Sequence, residues 1–92
     1  MNYQIIATQN YLKRLEKFLK KHPKIAPQYQ KTIAILCVNP NYPALRMHKL
    51  QGRLQEYYSI SINLKYRIVV DFIVQNEQII LIDIGTHNEV YK

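Results

Sequence analysis

Arg67 and His87 are the residues whose types and placement bring chemistry within reach. A guanidinium stays protonated at working pH and presents a donor fork suited to phosphate. An imidazole titrates near neutrality, at about 6.5 when unperturbed. Arginine and histidine with a nearby lysine or tyrosine suffice to cut RNA without metal. The 2′-hydroxyl attacks the adjacent phosphate, and a base takes its proton. An acid protonates the leaving 5′-oxygen, and cations stabilise the charge that develops. Each positioned proton-transfer group contributes roughly 10²–10⁴-fold. Metal chemistry has no such support. His22, His48 and His87 are scattered, and no cysteine or carboxylate cluster has ligand spacing. Gly52 and Gly85 are the only glycines, so no glycine-rich loop can cradle a phosphate, and no cofactor is expected.

Two strands must hold Arg67 near His87. Residues 66–74 and 78–84 are rich in Ile and Val, with a polar break at 75–77, and predict a hairpin. Residues 54–62 alternate from Tyr58 onward and predict a third strand, joined through a turn at 63–65. Tight turns fix antiparallel register. Counting outward, Ser61 and Gly85 flank Arg67, Ile60 and Ile84 flank Ile68, and Tyr58 and Ile82 flank Val70. One face then carries Tyr58, Ile60, Ile68, Val70, Phe72, Ile80, Ile82 and Ile84 and must be covered. The other carries Tyr57, Ser59, Ser61, Arg67, Val69, Asp71 and Asp83, and can face solvent or ligand. Arg67, Ser61, Lys65 and His87 share one end of that open face.

The first half supplies the cover. Residues 1–8 predict a strand ending near Ala7, with Thr8 as a helix cap. Tyr11, Leu12, Leu15, Phe18 and Leu19 form a helical stripe over 9–21, with most lysines off it. His22-Pro23 ends this helix. A second runs from about residue 24 or 27 to 38, and Asn39-Pro40 stops it. Residues 39–53, with two prolines and a glycine, predict a loop. The expected fold class is α+β: an N-terminal strand, a helical hairpin, then a three-stranded antiparallel meander with the helices on one face of the sheet.

Ninety-two residues suit a single domain. Thirteen Lys and Arg against six Asp and Glu give a net charge of +7. Before position 50, Glu16 is the only acid. Such a balance favours nucleic acid or an acidic protein partner. The lone Cys37 sits on an apolar helical stretch, as a buried inert thiol in a reducing compartment. No signal-like segment and no run long enough to span a bilayer is present, so the protein reads as cytoplasmic with no membrane partner.

Three segments in order resemble the RelE/ParE superfamily of bacterial toxins, nearest its YafQ-like and RelE-like branches. They are His48-Lys49-Leu50-Gln51-Gly52, Tyr66-Arg67-Ile68-Val69-Val70 and Ile84-Gly85-Thr86-His87-Asn88-Glu89-Val90-Tyr91. The resemblance implies one RelE-like toxin domain over 1–92. It also implies a metal-independent endoribonuclease that cuts mRNA on the ribosome and inhibits translation. Its partners would be a cognate antitoxin and, only as the toxin–antitoxin complex, operator DNA. Carried over by position, Arg67 stabilises the transition state and His87 is the general acid or base. His48 contacts phosphate or assists proton transfer, and Tyr91 stacks on a base. Lys65, Ser61, Lys49 and Arg53 make up the expected substrate-binding set. Branches of the superfamily that poison gyrase, or that only bind antitoxin and operator, are the alternative. The pattern's further histidine and aspartate in the second hairpin correspond here to Ser61 and Lys65.

Overall fold

The structure, a computed structural model, describes residues 2–73 and 76–90. After β1 (Gln4–Ala7) the chain turns into α1 (Gln9–Lys21). Thr8 caps that helix, its Oγ1 accepting the Tyr11 N–H at 3.1 Å. One orphan donor is thereby satisfied, so Thr8→Ala should lower unfolding stability by about 1 kcal/mol. A urea titration checks this. The α1 stripe buries Tyr11 and Phe18, and the lysines stay outside. A single 3₁₀ turn, Pro23–Ile25, leads into α2 (Ala26–Val38), which buries Tyr29, Thr32 and Leu36. The two helices are tied by the tyrosine hydroxyls of Tyr11 and Tyr29, 2.8 Å apart.

Four more strands follow: β2 (His48–Lys49), β3 (Tyr58–Ser61), β4 (Tyr66–Ile73) and β5 (Gln78–Thr86). They build one sheet of order β1-β5-β4-β3-β2. β1 lies parallel to β5, and every other pairing is antiparallel. The helices cover one face. Tyr11, Leu36, Ile60, Ile68, Val70, Ile79 and Leu81 meet there in the main core. The α+β reading therefore holds, with the expected meander extended by one strand. Cys37 is half-buried, and its thiol donates to the Tyr3 carbonyl at 3.1 Å.

Two expectations about residues 39–62 are corrected. Residues 39–53 are not all loop, because His48 and Lys49 pair with Ser59 and Tyr58. A two-residue strand is too short for alternation to reveal it. Leu54 does not begin β3 but closes a 3₁₀ turn, Gly52–Leu54.

The register holds through Arg67↔Gly85, Ile68↔Ile84 and Val69↔Asp83, then slips, so that Val70 meets Leu81 rather than Ile82. Ile79 and Leu81 therefore enter the core in place of the expected Ile80 and Ile82. Residues 79–82 are four consecutive apolar residues, so either phase buries comparable side chains and the pattern does not mark the bulge.

The second face is not open along its length. Ile82 joins Leu50, Val69, Val90, Leu54 and Tyr57 in a smaller core there. Ser59 is fully buried beneath it and Ser61 nearly so. Asp83 ion-pairs with Arg14 of α1 at 3.2 Å. This is possible because β1 ends opposite Leu81, leaving the rest of β5 beside the helix.

Candidate active site

The last segment is a one-turn helix, α3 (His87–Val90). Four residues cannot hold a helix by propensity. Local hydrogen bonds and packing hold this one. Thr86 and Glu89 form a capping box. The Glu89 carboxylate accepts the Thr86 N–H at 2.8 Å, and the Glu89 N–H reaches the Thr86 hydroxyl at 3.3 Å. Val90, on the far side, is buried against Leu50 and Val69. Gly85 makes room for the arrangement, since a Cβ there would stand 3.0 Å from Glu89 Oε1 and 3.2 Å from Glu89 Cβ. The Thr-x-x-Glu spacing before an apolar residue is itself legible in the sequence as a capping box.

Donation from the Thr86 N–H, and then from its hydroxyl, holds the Glu89 carboxyl below the usual glutamate range. A depressed carboxyl pKa contributes stability above the unfolded-state value, and that stability is lost as pH falls through the folded one. Acidification should therefore loosen α3 before the core. Hydrogen exchange at the Thr86 amide, followed across the acidic range, checks this.

His87 is the first residue of α3, exposed at its surface. His48, on edge strand β2, is exposed as well. Leu50 follows β2 into the small core that also receives Val90, and this shared anchorage brings the two histidines together. They line one open cleft of about 340 Å³ with Lys49, Leu50 and Gln51. The His48 Nδ1 lies 3.1 Å from the Arg46 carbonyl oxygen. A carbonyl can only accept, so Nδ1 carries the proton and the neutral ring keeps its lone pair on Nε2.

Arg67 sits in β4 between Ser61 of β3 and Gly85 of β5. His48, Ser59 and Val69 are register partners in turn, so alternation puts Arg67 on the same sheet face as His48. It does not line the histidine cleft but flanks it, two residues before His87 along β5 register. Among the described residues, its buried Nε has no hydrogen-bond partner.

The other expected residues are dispersed. Ser61 is nearly buried opposite Arg67. Lys49 is exposed on the cleft wall. Arg53 is exposed on the 3₁₀ turn and outside the cleft lining. The Lys65 ammonium lies 5.4 Å from the centre of the Tyr66 ring, whose helix-side neighbours are Phe18 and His22. Tyr91 lies outside the described residues. Among the described residues no group of three or more His, Cys, Asp or Glu is placed to hold a metal ion.

No family model matches the chain, and no curated protein matches it by sequence. Solved structures do match by fold. YafQ from E. coli strain BL21(DE3) superposes with a TM-score of 0.80 at 15% identity, over 98% of this chain and 99% of that one. The E. coli DinJ-YafQ toxin–antitoxin complex matches with a TM-score of 0.79 at 17% identity, over the whole of both chains. The YoeB-YefM complex from Staphylococcus aureus matches at 0.70 and 18% identity, over 95% and 99%. No described helix is long and apolar enough to cross a membrane. The chain has the α+β fold of the RelE-like toxins.

Proposed function

We propose that this protein is the toxin of a type II toxin–antitoxin pair and acts as a metal-independent endoribonuclease on ribosome-bound mRNA. One observation carries the reading: two histidines from distant segments share a cleft wall, with an arginine on the flanking strand. His48, with its proton fixed on Nδ1, offers Nε2 to take the 2′-hydroxyl proton. His87 protonates the leaving 5′-oxygen. Arg67 donates to the phosphate oxygens as charge accumulates. Lys49 adds positive charge on the cleft wall, and Tyr91 stacks on a base.

The lysine-rich outer side of α1 favours a polyanionic surface such as the ribosome. The fold shared with toxins solved in antitoxin complexes supports a neutralising partner, and the +7 charge suits one with an acidic segment. Operator DNA would be bound by that complex rather than by the toxin alone.

Expression in growing cells tests the class of target. Growth arrest with an immediate fall in protein synthesis and unchanged DNA supercoiling is the expected result. Arrest with altered supercoiling and sustained synthesis would instead identify a gyrase-directed toxin.

A further inference from the structure

We infer that Glu89 is a positioning residue for His87, setting the place of the imidazole through the capping box rather than touching RNA. The inference rests on the assignment of His87 to proton transfer. His87 and Asn88 lie inside the loop that the Thr86–Glu89 bonds close, at 2.8 and 3.3 Å. The same carboxylate rests on Gly85, the register partner of Arg67, with its Oε1 3.0 Å from where a Cβ would be. Glu89 therefore couples the turn that carries the histidine to the strand position beside the arginine.

α3 is one turn long, and Val90 anchors it in the smaller core. Lys21 at the end of α1 and His22, which follows it, approach Glu89 across a shallow groove that also includes Arg14, Lys17 and Ile84. They add weak attraction for the same carboxylate.

A displaced proton donor lowers the rate of the chemical step far more than it lowers substrate binding. Misplacement by about 1 Å is enough for a loss on the order of 10²-fold. Glu89→Ala removes the acceptor and should reduce the single-turnover cleavage rate by about 10- to 100-fold, with KM and Tm nearly unchanged. Glu89→Gln keeps an oxygen acceptor for the Thr86 N–H, so it should recover most of the rate.

The experiment measures ribosome-dependent single-turnover cleavage of a defined mRNA by wild type, Glu89→Ala, Glu89→Gln and His87→Ala, with Tm recorded for each. An inactive His87→Ala, a slow Glu89→Ala and an active Glu89→Gln support the inference. Wild-type rates from Glu89→Ala beside an inactive His87→Ala overturn it and leave the His87 assignment standing. Equal losses in Glu89→Ala and Glu89→Gln also overturn it, because the acidity itself would then matter. Full activity in His87→Ala removes the assignment on which the inference rests. If Glu89→Ala is unfolded, Thr86→Val, which keeps the backbone bond but deletes the hydroxyl, takes its place and should give an intermediate rate. Wild-type behaviour of that variant would again overturn the inference.

Discussion

Arg67→Ala is expected to reduce RNA cleavage by about 10²–10³-fold, the loss typical of removing one donor aimed at developing charge. The substitution should leave the fold intact. Arg67 is only half-buried, and its Nε has no hydrogen-bond partner among the described residues, so little native bonding is lost. Tm should hold within a few degrees, which excludes a packing defect as the cause of the lost rate. Arg67→Lys should recover only part of the rate, because an ammonium keeps the charge but not the planar donor fork. Single-turnover cleavage at saturating enzyme, measured beside Tm and antitoxin affinity, checks both variants. A large loss of rate with the other two unchanged assigns Arg67 to the transition state.

His87→Ala is the second variant with a large expected effect, about 10²–10⁴-fold for loss of one positioned proton-transfer group. His87 is exposed at the start of α3, and the capping bonds are made by Thr86 and Glu89. The helix should therefore survive its removal. His48→Ala should fall in the same range if both histidines transfer protons. The double variant should then lose less than the product of the two, since groups acting on one transition state are not additive. A pH–rate profile separates the roles. The wild-type bell should lose its acidic limb in His48→Ala and its alkaline limb in His87→Ala, since a base must be unprotonated and an acid protonated.

Much of the scaffold was legible because it rests on strong periodic signals. Tyr11, Leu15, Phe18 and Leu19 recur at helical spacing, and Thr8 precedes them as a cap. The alternation in β3 and the short Asn63–Lys65 turn gave Ser61↔Arg67 and Ile60↔Ile68 correctly. The Asn63 side chain stabilises that turn by accepting from the Lys65 and Tyr66 N–H groups at 2.9 and 2.8 Å. The part of the hairpin nearest Arg67 was correct as well, since the bulge lies beyond Val69.

What escaped the sequence has physical causes. Residues 79–82 are uniformly apolar, so a one-residue slip hardly changes what is buried, and the bulge left no pattern. β2 is two residues long and derives its stability from β3 and Leu50 rather than from its own propensity. The second core of Leu50, Val69 and Val90 joins residues far apart in sequence, and each reads locally as an isolated apolar residue. That core is what brings His48 to His87, so their shared cleft was reachable only through the resemblance. Lys65 illustrates the opposite case. Its position beside Arg67 in sequence placed it at the site, whereas its ammonium lies over the Tyr66 ring.

Primer extension on a defined mRNA, from cells briefly expressing wild type or His87→Ala, tests the central claim most directly. Discrete cuts within translated codons in the wild type, absent with His87→Ala, are the predicted result. Growth arrest by the wild type with intact message would contradict it.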